Sequence, residues 1–118
     1  MKRVEKPWGY ELIWAHTDRY VGKILHIKAG ESLSLQYHER KDETVMVLTG
    51  SIELEHFREG EAPQKTTLAP REPFRIRAGL RHRMVATVDT DVAEVSTTEI
   101  DDVVRLEDRY GRKGTTEA

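Results

Sequence analysis

The stretch from Gly30 to Gly50 reads GESLSLQYHERKDETVMVLTG, and the interpretation of the whole chain starts from it. Gln36 and His38 are two residues apart, so on an extended strand their side chains point to the same face. Glu43 follows five residues after His38, which leaves room for a turn and then a returning strand rich in β-forming residues. The pattern predicts a hairpin that brings an amide oxygen, an imidazole and a carboxylate together.

A second cluster, RAGLRH over residues 77–82, can deliver one more imidazole, that of His82, from a distant strand. Taken singly, His38 would be read as a partly buried histidine and His82 as a surface residue at a strand end. Together with Gln36 and Glu43 they form a set of three or four nitrogen and oxygen ligands, which suits a divalent metal with open positions. The remaining histidines lack such company and are read as structural or solvated: His16, His26 and His56.

The composition predicts one globular domain without cysteine chemistry. A length of 118 residues fits a single domain, predicted over residues 1–113 and followed by a flexible tail over residues 114–118. The net charge of -2 gives no reason to expect nucleic acid or a membrane surface as partner. The absence of cysteine excludes disulfides and zinc-thiolate sites, and it fits a reducing cytosol. No signal peptide or membrane-spanning run is recognisable, so we expect a cytoplasmic protein.

Short alternating strands and turns follow one another along most of the chain. Residues 20–29 are an example, with Val21, Lys23, Leu25 and Ile27 on one face. Turn signals every eight to twelve residues predict an all-β sandwich or small barrel such as a jelly roll. Residues 101–110 have two acids followed by apolar residues at roughly helical spacing, and we read them as a short helix or a turn.

Two motifs resemble those of the cupin superfamily. The spacing Gly30-x5-Gln36-x-His38-x4-Glu43-x6-Gly50 resembles the first cupin motif, with glutamine in place of its usual first histidine. Residues 77–82 resemble the second motif, with arginine replacing the usual proline at its start. Residues 7–112 resemble the single cupin domain of type II mannose-6-phosphate isomerases, most specifically in LSLQYH (33–38) and DVVRLEDRYGR (102–112).

This resemblance implies a double-stranded β-helix that holds one divalent metal, with Gln36, His38, Glu43 and His82 as ligands. Zinc is the expected metal, and manganese, cobalt, nickel and iron are alternatives. The residues beside the ligands depart from the family, since residues 39–42 read ERKD where the bifunctional enzymes have a histidine-rich run. This departure leaves the exact substrate and activity open.

The activity implied by the resemblance is aldose–ketose isomerisation of a sugar or a sugar phosphate. A metal stabilises the charge that develops on the enediolate, and a base must reach the carbon acid. The candidates for that catalytic role are Lys23, Glu94 and Arg109. Two alternatives are a non-catalytic carbohydrate-binding or sensing module and a metal-dependent cupin dioxygenase. Gln36 counts against the dioxygenase, because those sites more often use three histidines and one glutamate.

Several charged and aromatic residues allow two interpretations. Lys23 either extends from a strand end to water or contacts the substrate. Glu94 joins the pocket only if the polar face of its strand points inward. Trp8 and Trp14 are read as packing a lid or a dimer interface. A basic set is read as a solvated face or as a phosphate clamp at the barrel mouth: Arg75, Arg77, Arg81 and Arg83, with Arg40 and Lys41 in the ligand turn.

Outward apolar side chains predict a homodimer. Ile24, Met46 and Leu48 would suit such a surface, and pairing also hides the exposed strand edges of a small jelly roll.

Overall fold

A computed structural model of the chain describes residues 1–111 and, for the backbone alone, residues 114 and 115. These residues form two antiparallel six-stranded sheets. Sheet A contains, in order across the sheet, β1 (Lys2–Lys6), β2 (Gly9–His16), β3 (Val21–Ile27), β10 (Thr90–Ser96), β5 (Glu43–Thr49) and β8 (Pro73–Ile76). Sheet B contains β12 (Gly114–Thr115), β11 (Val104–Glu107), β4 (Leu35–Tyr37), β9 (Arg81–Ala86), β6 (Ile52–Phe57) and β7 (Gln64–Leu68).

The all-β jelly roll predicted from the sequence is confirmed. The two sheets enclose one hydrophobic cluster, and most strands alternate between buried and more exposed residues, as a half-buried strand must. In β3, for example, Leu25 and Ile27 are buried whereas Ile24 and His26 are partly exposed. None of the described segments is a helix that could cross a membrane.

The interior of the barrel has an apolar end, which holds most of the core. Strand register aligns buried apolar residues into one cross-strand row in each sheet. We define the apolar end by these six residues, which belong to one cluster: Leu25, Val92, Val47, Leu68, Ile52 and Ala86.

The other end of the interior is polar, and we call it the charged end. Two residues along the strands from the apolar row, Lys23 pairs with Glu94 in sheet A. In sheet B, His82 lies between Gln36 on one neighbouring strand and His56 on the other. The charged end therefore contains the residues predicted to form the site.

The predicted hairpin between the first ligands and Glu43 is wrong. Strand β4 lies in sheet B between β11 and β9, whereas β5 lies in sheet A between β10 and β8. Residues 38–42 cross from one sheet to the other. The Asp102 carboxylate holds this crossing in place, because it accepts hydrogen bonds from the backbone N–H groups of Glu39, Arg40 and Lys41 at 3.0, 2.7 and 2.9 Å.

The short helix considered for residues 101–110 is also wrong, because this segment contains strand β11. Val103 and Arg105 are buried while Leu106 is exposed, which is the alternation of a strand. β11 pairs with β4 on one side and with β12, Gly114–Thr115, on the other. Of the flexible tail predicted over 114–118, these two residues pair in the structure, and residues 116–118 lie outside the described part of the chain.

The two tryptophans have different environments. Trp8 is 3% exposed and packs in the core, where it also lines the cavity described below, so its side chain is not available for a dimer interface. Trp14 is 53% exposed, and its indole lies over Gly22, where an added Cβ would come within 2.6 Å of the ring. Gly22 is therefore required for the indole to lie flat on the outer face of sheet A.

Candidate metal centre

Two histidines and one glutamate converge inside the charged end. His38 directly follows β4, Glu43 begins β5 and His82 lies in β9, so both sheets contribute. One ligand atom from each residue lies within 4.8 Å of the others. Nε2 of His38 and Nε2 of His82 are 3.2 and 3.7 Å from Oε1 of Glu43. The structure thus brings together three of the four residues predicted as metal ligands, and all three are buried.

Hydrogen bonds set the orientation of both imidazoles. Nδ1 of His38 donates to the carbonyl oxygen of Asp102 at 2.6 Å, and Nδ1 of His82 donates to the carbonyl oxygen of Leu80 at 2.8 Å. Because a carbonyl only accepts, Nδ1 of each ring carries a proton, and in the neutral form of the ring the lone pair is on Nε2, the atom that faces Glu43. Burial lowers the pKa of His82 to about 4, which keeps this ring in the ligating form at neutral pH.

This donor set fits a divalent cation. Two imidazole lone pairs and a carboxylate face one another at distances that leave room for an ion between them. In each imidazole, Nδ1 donates a hydrogen bond to a backbone carbonyl oxygen, and a hydrogen bond of this kind usually supports a metal-bound histidine.

Gln36 lies beside these three residues. It pairs in register with His82 on β9 and with Arg105 on β11. It lines the same cavity as the three converging residues. Its role as fourth ligand stays a prediction.

Lys41 is a site residue that the sequence placed only in the basic set, as part of a solvated face or a phosphate clamp. Its side chain is buried, and its Nζ lies 3.1 Å from Oε2 of Glu43 and 3.3 Å from Oε2 of Glu94. Burial favours the neutral amine, but the charges of Glu94 and Glu43 outweigh it and raise the pKa of Lys41. Lys41 is therefore an ammonium ion bound between two carboxylates.

The two carboxylates beside Lys41 have pKa values shifted in opposite directions. Burial opposes ionisation of Glu43, yet Lys41 and the two imidazoles hold the pKa of Glu43 well below its usual range. Burial, together with the nearby charge of Glu43, raises the pKa of Glu94. Pairs of this kind, in one cavity, can divide electrostatic and proton-transfer roles between them.

Lys23 and Glu94 both point into the cavity. The polar face of β10 looks inward, as the prediction for Glu94 required. Lys23 is buried and its Nζ lies 3.4 Å from Oε1 of Glu11, so the interpretation that it reaches water is wrong. The reason is the position of β3 inside sheet A, where the face that carries Lys23 also carries core residues.

Arg109 does not join the site. Its side chain is half exposed and donates to the carbonyl oxygen of Gly30 at 2.6 Å, away from the cavity lining. The structure therefore corrects its placement among the candidate catalytic residues.

The basic cluster also lies outside the cavity. Arg75 donates two hydrogen bonds to the Asp42 carboxylate, and Arg83 donates two to Glu55. Arg77 and Arg81 are exposed. Of the two interpretations of these four arginines, the exposed and ion-paired side chains agree with a solvated basic face and not with a phosphate clamp. Three histidines lie outside the cavity as expected, and two of them have partners: His26 with Asp91 and His56 with Thr66, while His16 is exposed.

Arg105 is a site residue that the sequence did not single out. It is 7% exposed and lines the cavity beside Gln36. Arg105 could have been found because it lies two residues from Val103, and on a strand both side chains point to the same face. The interpretation of this segment as a helix or turn hid that relation.

Residues 1–108 match the family model described as "Mannose-6-phosphate isomerase C-terminal". The chain belongs to this family. A curated relative, the mannose-1-phosphate guanylyltransferase ManC of Salmonella typhimurium, is 37% identical over 117 residues, covering 94% of this chain and 23% of its own length. The chain thus spans about a quarter of the length of the curated relatives that it matches.

Solved structures agree with the fold. KdgF from Halomonas sp. superimposes with a TM-score of 0.72 at 26% identity, covering 84% of this chain and 89% of that protein. A sugar phosphate isomerase of the cupin superfamily from Silicibacter pomeroyi gives a TM-score of 0.68 at 19% identity, covering 81% and 64% of the two chains. The second likeness concerns the fold alone. The family and the fold that the resemblance implied are therefore confirmed.

Proposed function

We propose that this chain is a metal-dependent aldose–ketose isomerase that acts on a sugar phosphate of the mannose 6-phosphate type. One observation carries the proposal: Nε2 of His38, Nε2 of His82 and the Glu43 carboxylate converge in a buried cavity of a chain that belongs to this family. Zinc is the first metal to test.

His38, Glu43 and His82 would hold the metal, with Gln36 as the fourth ligand. When bound, the metal supplies the positive charge that stabilises a developing enediolate. The hydrogen bonds from His38 to the carbonyl oxygen of Asp102 and from His82 to the carbonyl oxygen of Leu80 would hold the two imidazoles in the orientation that a metal ligand needs.

Glu94 is the residue that we assign to proton transfer. Its raised pKa moves this carboxyl group toward the range in which a general base works well near neutral pH. As carboxylate it takes the proton from the carbon next to the carbonyl, and as carboxylic acid it returns that proton to the neighbouring carbon. Lys41, 3.3 Å away, orients Glu94 and adds positive charge to the cavity.

Lys23 has a positioning role in this proposal. It pairs with Glu11 at 3.4 Å and lies opposite Glu94 in the register of β3 and β10. Its charge therefore helps to fix the carboxylate network on which Glu94 depends.

Solvent deuterium wash-in tests the activity. Zinc-loaded protein in D₂O is expected to introduce deuterium at C2 of mannose 6-phosphate, measured by proton NMR. Glu94→Gln removes the base and should slow the exchange by at least ~100-fold, the usual contribution of such a group. Glu55→Gln is the matched control, because Glu55 binds Arg83 outside the cavity and exchange should persist.

A carbohydrate-binding module without turnover is the second candidate. The observation that favours it is the Lys41 ammonium, which occupies one oxygen of Glu43. Sugar phosphate binding without deuterium wash-in or oxygen uptake would support this module and contradict the isomerase. Oxygen uptake by iron-loaded protein would instead support a dioxygenase.

We also propose a homodimer through the outer face of sheet A. Register aligns one residue from each of five strands into a continuous apolar row: Leu12, Ile24, Ala93, Met46 and Pro73. Leu48 and Val95 are exposed near this row. A monomer in light scattering at micromolar concentration would contradict the dimer.

A further inference from the structure

The cavity wall formed by β4 and β11 contains a buried hydroxyl that the proposed chemistry does not use. Ser34, which directly precedes β4, is 1% exposed and lines the cavity. Its Oγ has no hydrogen-bonding partner among the described residues. Leaving a buried polar group unsatisfied costs about 1–3 kcal/mol, so such an atom in a cavity wall indicates a partner supplied by a ligand.

Arg105 brings a permanent positive charge to the same wall. It is buried, lines the cavity and pairs in register with Gln36. A guanidinium stays protonated throughout the physiological pH range, and its planar fork of N–H donors matches two oxygens of a phosphate group.

The positions of Ser34 and Arg105 place them in one patch. Ser34 and Gln36 are two residues apart, so their side chains share a face with about 7 Å between the residues along the chain. Arg105 lies across from Gln36 on the neighbouring strand, and Arg105 and Ser34 line the same cavity. On the other side of Gln36 lies His82. The patch therefore borders Gln36, the predicted fourth ligand, and Arg105 is separated from His82 by β4.

We propose that Ser34 and Arg105 form the subsite for the phosphoryl group of the substrate. This inference rests on the proposed function for its substrate class. The hydroxyl of Ser34 donates to one phosphoryl oxygen and the Arg105 guanidinium donates to two. The sugar then extends past Gln36 toward His38, Glu43 and His82, which places its carbonyl end at the candidate metal centre.

Calorimetric titration of the zinc-loaded protein with inorganic phosphate tests the subsite. Arg105→Gln is expected to weaken the Kd by ~10- to 100-fold, as loss of a charged hydrogen-bonding group does, and Ser34→Ala by ~3- to 10-fold. Arg83→Gln is the matched control, since it removes the same charge from a neighbouring part of sheet B but outside the cavity. Its Kd should stay within about twofold of the wild type.

Two results would overturn the subsite. One is a phosphate Kd in Arg105→Gln and Ser34→Ala that equals the wild-type value; the other is an equal loss in Arg83→Gln, which would make the binding a non-specific charge effect. Circular dichroism and zinc content check that each variant folds. If Arg105→Gln does not fold, Ser34→Ala decides the question alone, because it removes one atom without changing charge.

Comparison of mannose with mannose 6-phosphate sharpens the test. Both cavity variants should lose affinity for mannose 6-phosphate and keep that for mannose. Phosphate binding that depends on Arg105, in a protein without deuterium wash-in, would contradict the isomerase and support the subsite. Wash-in together with unchanged phosphate binding in both variants would support the isomerase and overturn the subsite.

Discussion

The apolar end and the charged end of the barrel interior are buried to a similar degree but differ in chemistry. Val47, Ile52 and Ala86 at the apolar end are fully buried, and Lys23, Glu43 and Glu94 at the charged end are at most 5% exposed. Burial of an apolar side chain stabilises a fold by about 1.5–3 kcal/mol, whereas burial of a charge is unfavourable unless it is paired. Burial at the apolar end therefore stabilises the fold, whereas burial at the charged end lowers the net stability.

Pairing is what makes the charged end tolerable. Its charges alternate in sign, with Lys23 against Glu11 and with Lys41 between Glu94 and Glu43. Buried ion pairs of this kind contribute little net stability compared with apolar residues of the same volume. The presence of these buried ion pairs in a chain of 118 residues is better explained by a role in the candidate site than by a contribution to folding stability.

The largest expected effect concerns metal binding at the charged end. His82→Ala removes a ligand and should lower zinc affinity by more than ~100-fold, since even the loss of a supporting hydrogen bond costs ~10- to 100-fold. Elemental analysis of the purified protein is the measurement. His56→Ala is the matched control, because His56 pairs with His82 in register but lies outside the cavity. A zinc content near one per chain in His82→Ala would show that the ligand assignment is wrong.

The second prediction breaks the apolar end alone. Ile52 is fully buried at the apolar end, so Ile52→Ala should lower the free energy of unfolding by about 2–5 kcal/mol. Urea denaturation measures the loss, and zinc affinity of the folded variant should not change. A parallel loss of zinc affinity would contradict the division of the interior into two ends.

The third prediction concerns pH and the metal-free protein. The pKa of His82 is about 4 in the fold and about 6.5 in an unfolded chain, so between these values the unfolded state binds more protons. The stability due to the neutral ring is complete above pH 6.5 and is lost as the pH falls toward 4. The loss amounts to about 3 kcal/mol. Urea denaturation across this range should give a steeper decline for the wild type than for His82→Gln. If the unfolding free energy declines equally steeply with pH in the wild type and in His82→Gln, the lowered pKa of His82 is not the cause of the decline.

The smallest effect is expected at the surface. Arg75 and Asp42 form an exposed ion pair outside the barrel interior, where water screens their attraction. Arg75→Ala should leave both the denaturation midpoint and the zinc content unchanged within error. A clear loss of either would mean that the basic face supports the site.

Much of the fold could be predicted because strand alternation is a local property. The inward face of β3, for instance, is readable from Val21, Leu25 and Ile27 alone. The three residues that converge, His38, Glu43 and His82, could also be predicted, because histidine and glutamate at such spacings in two strand-rich motifs have few roles other than metal binding. What the local pattern does not determine is pairing: a four-residue turn fits a hairpin and a crossing between sheets equally well.

The missed residues follow from the same limit. Lys41 lies in that crossing, where no strand period assigns an inward or outward direction. Arg105 lies in a segment whose short apolar pattern suits a helix or a strand, and only pairing with β4 settles the question. Lys23 was visible on an inward face, but its partner Glu11 is twelve residues away on another strand.

Asp102 has a consequence for the order in which the molecule is assembled. Its carboxylate fixes three backbone amides of the crossing, and its carbonyl oxygen orients His38. On a ribosome, all four candidate ligands are synthesised before Asp102 and β11, so the contacts that fix the crossing and orient His38 cannot form until this later segment follows. The centre therefore matures late. In refolding with cobalt, ligand-field absorption should develop no earlier than protection of the β11 amides, and Asp102→Ala should delay it.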